Sequence, residues 1–143
     1  MEISTEETEA IVRRVCDSVA AAVEANVEIR PELQRIYDVD YLVMEVNSGA
    51  SFEQYFRWAS CAEIHRIVPA LRAVGLDDTA QLVEQAIHIA FSGRIPVDDE
   101  AKSDLTEWSE EQERGLEALF PALEEQNGRI TNSLAAYATR IGA

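Results

Sequence analysis

The chain has 143 residues, 27 of them acidic and 12 basic, for a net charge of −15 and a pI near 4.4. That length makes one domain with a sizeable core, and a hydrophobic fraction of 47% is ordinary for a globular protein. The charge excludes direct binding of nucleic acid, because phosphates would be repelled, and directs attention to basic partners.

The first helix opens at Ser4-Thr5-Glu6-Glu7, where Glu7 stands three residues after Ser4 as in a capping box. Ile11, Val15, Val19, Ala22 and Val23 then recur at helical period, and Asn26 is a natural end. Pro31 suits the first position of a second helix, since its missing N–H is harmless there. Leu33, Ile36 and Tyr37 begin its apolar face, with a change of direction expected near Asp38 to Asp40. Tyr41, Leu42, Val43, Met44 and Val46 carry the apolar signal onward.

Residues 46–58 hold the densest aromatic cluster of the chain. Asn47 can bond its own backbone and Gly49 can take a positive φ at no steric cost, which predicts a turn. Ser51 then caps a short helix on which Phe52, Tyr55 and Phe56 share one face. Aromatic side chains at helical spacing are chiefly packing, so this stretch is expected to form a core corner.

Ser60-Cys61-Ala62-Glu63 is a second capping box. Ile64, Ile67, Val68, Leu71 and Val74 form the buried face that follows, with Pro69 inside it and Gly75 as the stop. Asp77 or Asp78 is expected to cap the next helix, whose face is Leu82, Val83, Ala86, Ile87, Ala90 and Phe91, ending at Gly93. The short link makes these two an antiparallel hairpin. Residues 93–103, with Pro96 and Asp98-Asp99-Glu100, read as a loop. Helix resumes from Ser103 or from the capping box Ser109-Glu110-Glu111-Gln112, with Leu105, Trp108, Leu116, Leu119, Phe120 and Leu123 apolar. Pro121 predicts a kink or break and Asn127-Gly128 a turn. Ile130, Leu134, Tyr137, Ala138 and Ile141 give a last helix. Nothing alternates with period two for long enough to be a strand. The expected fold is all-α, one compact domain over residues 1–143 of about six or seven helices around a central antiparallel hairpin.

The two cysteines, Cys16 and Cys61, form no CxxC, and the acidic N-terminus has no apolar run. No signal peptide is expected, and the thiols are expected free in a cytoplasmic setting. No apolar stretch approaches the roughly 18 residues that span a bilayer.

The segment from Tyr41 to Phe91 resembles the DNA-mimic-protein family, small acidic bacterial proteins. The matching residues are Asn47-Ser48-Gly49, Phe52, Gln54-Tyr55-Phe56 and the helical bend Ala70-Leu71-Arg72-Ala73-Val74-Gly75. The family has Asn-Asn-Gly-Gly directly before its first aromatic. Here Ser48 replaces one Asn, and Ala50-Ser51 separates Gly49 from Phe52. The resemblance implies an all-helical domain, a homodimer, and binding of a basic DNA-binding regulator by carboxylates presented in place of phosphates.

The charge pattern bears on that implication. Residues 98–125 hold eleven carboxylates against Lys102 and Arg114, a net of −9. As one helix they would span about 42 Å, or one net charge per roughly 5 Å, against roughly 3.4 Å per strand of DNA. The candidate partner-binding residues are Asp98, Asp99, Glu100, Asp104, Glu107, Glu110, Glu111, Glu113 and Glu117. Within them, Glu100, Asp104, Glu107 and Glu111 step by 4, 3, 4 and would line one stripe. A duplex mimic needs a second acidic edge, from Glu2, Glu6, Glu7 and Glu9 or from a second copy. The competing reading is an ordinary solvated or salt-adapted surface, which the use of arginine at every cation except Lys102 also fits.

Enzyme and metal readings are weaker. Cys61 and His65, and Glu84 and His88, are i, i+4 pairs on adjacent helices, at spacing usable by a metal. Gln81, Gln85 and Ser92 share the His88 stripe, which marks it as solvent-facing. No third group orients a Cys–His pair, and no Gly-rich phosphate loop or serine elbow is present. The preferred expectation is therefore a non-enzymatic regulator without metal or cofactor that binds a basic DNA-binding protein. The alternatives are a small enzyme or metal protein centred on His65 and His88, or an immunity- or antitoxin-like binding protein.

Overall fold

A computed structural model describes residues 4–143. They form eight helices and no strand: α1 (Thr5–Glu24), α2 (Pro31–Gly49), α3 (Glu53–Trp58), α4 (Cys61–Ala73), α5 (Asp77–Phe91), α6 (Asp99–Leu105), α7 (Glu110–Ala118) and α8 (Phe120–Arg140). The all-α expectation holds, with one helix more than foreseen.

In α1 the Ser4–Glu7 capping box is reciprocal, and Val12, Val15 and Val19 are buried. Val23, placed on that face by periodicity, is instead exposed in the last turn. The helix stops at Asn26, whose φ of 55° is tolerated by its short polar side chain. Pro31 starts α2 as its spacing predicts.

The helix does not break at residues 38–40. Helix α2 runs uninterrupted through them as the central element, packed against α1, α3, α4 and α8. Ile36, Val39, Leu42 and Val46 keep one buried stripe, and Asp38 is tolerated inside because a cation reaches it. The Asn47–Gly49 turn is also corrected. These residues form the last turn of α2, and the left-handed residue is Ala50, at φ 51°. Gly49 serves a different need: a Cβ there would stand 3.0 Å from the Cβ of Gln54. Ser51 is not the cap of α3, a place Phe52 takes, although its hydroxyl accepts the Glu53 N–H at 3.2 Å.

Helices α4 and α5 form the expected hairpin. Gly75, at φ 86°, lets the Leu76 N–H bond Leu71 O while its own N–H bonds Arg72 O. Pro69 stays inside α4, and Ser60 accepts the Glu63 N–H. Neither Asp77 nor Asp78 caps α5. The tight exit from α4 leaves Leu76 at that position, and both aspartates fall in the first turn, where they favour the helix dipole.

The expected loop over 93–103 is shorter, because Asp98 accepts the Ala101 N–H at 2.8 Å and starts α6. Leu105, expected to be buried, closes that short helix on its exposed side. Ser109 begins a separate helix with a full capping box. Pro121 sits in the first turn of α8, so the break falls just before it, at Leu119. Asn127-Gly128 is not a turn. Helix α8 carries through it for 21 residues, and Asn127 exchanges two amide hydrogen bonds with Asn47 of α2. A mid-helix glycine costs about 1 kcal/mol relative to alanine. The burial of Leu123, Ile130, Leu134 and Tyr137 along one face outweighs that. Among the described residues no helix is long and apolar enough to cross a membrane.

Candidate functional site

The acidic segment is not one rod. It is folded into α6, the 106–109 link, α7 and the start of α8, so the stripe Glu100–Asp104–Glu107–Glu111 is interrupted between Asp104 and Glu111. All eleven carboxylates remain exposed, and none forms an ion pair among the described residues.

Two of them are also structural. Asp98 caps α6, and Asp99 accepts the Cys61 N–H at 2.7 Å, satisfying an orphan donor in the first turn of α4. Glu110, Glu111 and Glu113 lie in the first turn of α7, where negative charge suits the dipole. Glu100 likewise lies in the first turn of α6, whereas Asp104, Glu107 and Glu117 make no such local contribution, and Glu117 stands near the negative end of α7.

The inward face of α7 sets the outward one. Leu116 is fully buried, Gln112 donates to Ile89 O at 2.9 Å, and a Cβ on Gly115 would meet Ile89 Cδ1 at 3.3 Å. Glycine thus lets α7 lie close against α5, and Glu110, Glu113, Arg114 and Glu117 are turned to solvent. Lys102 adds nothing to that surface. It is buried, and its ammonium donates to Phe56 O at 3.0 Å, Arg57 O at 2.8 Å and Ala59 O at 2.6 Å. The segment's exposed cation is therefore Arg114 alone.

Within residues 46–58 the aromatics Phe52, Tyr55 and Phe56 are packing, as their spacing suggests, whereas Trp58 is exposed. Phe52, Tyr55 and Phe56 are buried, with Tyr55–Phe56 and Phe56–Phe91 ring centroids 5.5 and 5.2 Å apart. Gln54 donates to Glu45 at 2.8 Å, and Asn47 pairs with Asn127.

The His65/His88 residues are engaged separately. The Pro96 carbonyl can only accept, so the His65 Nε2 at 2.9 Å carries the proton. Cys61 donates to the same carbonyl at 3.0 Å and to Asp98 O at 3.3 Å. Burial, then Asp99, pushes the Cys61 thiol up, opposite to the shift that activates a nucleophile. His88 rises from an open hollow beside Gln81, Glu84, Gln85 and Ile89, and Glu84 pairs with Arg72. Among the described residues no group of three or more His, Cys, Asp or Glu side chains could hold a metal ion.

Sequence reasoning missed a polar cluster in a cleft of about 320 Å³ between α2 and α4. Asp38, 2% exposed, takes Arg66 Nε at 2.9 Å and Nη2 at 3.1 Å, and Gln34 Nε2 at 2.9 Å. The hydrogen bonds to Asp38 raise the Arg66 pKa further. The available signal was an aspartate one helical turn before Leu42, inside an otherwise apolar stripe. Lys102 was missed in the same way, although a sole lysine invites the question of what it holds.

One family model, described as DMP19-like protein, matches residues 27–140, which spans α2 to α8 and leaves α1 outside. Comparison with curated proteins and with solved structures gives no match.

Proposed function

We propose that this chain, which belongs to the DMP19-like protein family, is a non-enzymatic regulator that binds a basic DNA-binding protein through its surface carboxylates. The observation that carries the reading is the uncompensated charge of residues 98–125, eleven exposed carboxylates facing Arg114 alone while Lys102 is sunk in the interior. On α7, Glu110, Glu111, Glu113 and Glu117 with Arg114 leave a net −3 over about 14 Å, or one charge per roughly 4.5 Å. That approaches the roughly 3.4 Å spacing of one DNA strand. A basic surface built for phosphates would be steered toward such an edge at low salt. A second edge would come from α1, where Glu6, Glu7 and Glu9 are exposed while Glu2 lies outside the described residues, or from a second copy of the chain.

The test is a pull-down from host lysate at low salt, challenged with duplex DNA and then with high salt. The reading expects a basic DNA-binding protein that duplex DNA displaces. It also expects the variant with Glu107, Glu110, Glu111 and Glu117 changed to Lys to capture none while keeping its helical CD spectrum. Equal capture by that variant, or a bound protein indifferent to DNA, removes it.

A further inference from the structure

Trp58, Val97 and Leu105 are 71%, 85% and 47% exposed, and all three rise from one junction. The chain there is laced together. Lys102 ties α6 to the carbonyls of residues 56, 57 and 59, on either side of Trp58, and Leu105 lies three residues along α6 from it. Arg57 Nη2 donates to Thr106 O at 3.3 Å. Cys61 holds the carbonyls of Pro96 and Asp98, on either side of Val97. Apolar side chains scattered singly over a surface need no explanation, but three on segments tied to one another by these hydrogen bonds do.

The two tryptophans contrast. Trp108 is buried, gives its N–H to Ala90 O at 3.0 Å, and carries the Arg57 guanidinium 5.1 Å from its ring centroid. Trp58 is left in water, and its indole N–H meets no acceptor among the described residues. Asp98, Asp99, Glu100, Asp104 and Glu107, carried by the segments laced to its neighbours, are all exposed. An aromatic centre with a charged rim is the anatomy of a binding hot spot, and tryptophan is among the residues most enriched there.

We infer that Trp58, with Val97 and Leu105, is the apolar anchor for a basic amphipathic segment of a protein partner, whose Lys and Arg side chains meet the surrounding carboxylates. The inference rests on the carboxylate-binding reading above and narrows it. Charge alone would accept any phosphate-binding surface, whereas an apolar anchor selects a partner that also offers a hydrophobic face. A second copy of the chain fits this junction poorly, because a twofold contact there sets acidic rim against acidic rim.

The test uses two synthetic Trp-free helical peptides of equal Lys/Arg charge, one with Leu at i, i+3, i+4 and i+7 and one with Ser at those positions. Binding is followed by calorimetry and by acrylamide quenching of tryptophan emission. The Leu peptide is expected to bind at least about tenfold more tightly than the Ser peptide and to shield Trp58. W58S removes that difference but keeps the weak, salt-sensitive binding of both, and W58F restores part of it. Thermal melts of W58S should match the wild type, since the side chain is exposed. Equal affinity for both peptides, or an unchanged preference in W58S, overturns the anchor, and salt-sensitive binding in that case leaves the carboxylate reading standing. A preference for Leu that ignores both salt and the four-Lys variant overturns the basic occupant and the carboxylate reading together. Self-association of the wild type that W58S abolishes assigns the patch to a second copy and overturns the proposal.

Discussion

Replacing Lys102 by Met tests how the 92–106 segment is held. The ammonium makes three short hydrogen bonds to carbonyls at and just beyond the C-terminal end of α3, and none to a carboxylate. Each such charge-assisted bond is worth about 1.5–3 kcal/mol, and the negative end of the helix dipole adds to them. Against this stands the cost of desolvating the ammonium, several kcal/mol, which methionine does not incur. The balance is a loss of about 3 kcal/mol. For a chain of this size roughly 3 °C of Tm accompanies each kcal/mol, so a fall of about 10 °C is expected. Lys102→Arg should fail to rescue it, because a planar guanidinium cannot direct three N–H groups from a single atom at three converging carbonyls. Thermal and urea unfolding followed by CD measures both variants. A Met variant within about 1 kcal/mol of the wild type would show that water satisfies those carbonyls and that Lys102 is not the clamp.

Arg66→Leu should destabilise more than Asp38→Asn, about 3–5 against 1–3 kcal/mol, because Arg66 can return to water while Asp38 would be left charged in the interior; equal losses in urea melts refute the asymmetry. Ala50→Gly should stabilise by about 0.5–1 kcal/mol by removing a Cβ from a left-handed position, and a lower Tm would count against that conformation. Glu117→Lys should raise stability by about 0.3–1 kcal/mol at the C-terminal end of α7 and still weaken capture of a basic partner, so a variant that is more stable and binds as well separates the surface from the function. Burial, then Asp40, pushes the Cys16 thiol up to about 12, and burial, then Glu45, does the same to Tyr41. The unfolded chain releases those protons at lower pH than the folded one, so stability should decline as pH rises from about 9 to 12, and a flat alkaline profile contradicts it.

Helix faces were legible because burial follows period. Leu82, Val83, Ala86, Ile87, Ala90 and Phe91 are all buried in α5 as their spacing requires. Local signals erred where a distant contact overrode them. Asn47 and Asn127 look like turn formers in isolation, yet their amides pair across 80 residues and both stay helical. Asp98 looks like part of a charged loop until its bond to the Ala101 N–H makes it a cap. Gly49 offers backbone freedom in isolation, but its lack of a side chain is what Gln54 uses. The candidate surface was legible only as composition. Which carboxylates share an edge depended on the break at residues 106–109, and the exposure of Trp58 beside it had no local signature.

The folded positions of the carboxylates divide them by what the chain itself gains. Asp98 and Asp99 complete helix starts, Glu100 favours the N-terminal end of α6, and Glu110, Glu111 and Glu113 that of α7, so a protein with no partner at all would benefit from those six. Asp104, Glu107 and Glu117 are exposed, unpaired among the described residues and outside any first turn. Glu117 opposes the dipole of its own helix, and Asp104 lies in the last turn of α6, where the same argument applies. Arginine or lysine at those two positions would serve the fold better by a few tenths of a kcal/mol each. A surface acidic only for hydration has no reason to prefer these disfavoured places over neutral ones, since any exposed site hydrates equally well. On the proposed reading that charge is kept for a basic partner, and Asp104→Lys and Glu117→Lys, each expected to favour the helix dipole and to weaken capture, test that role against salt adaptation more sharply than the total of −15 does.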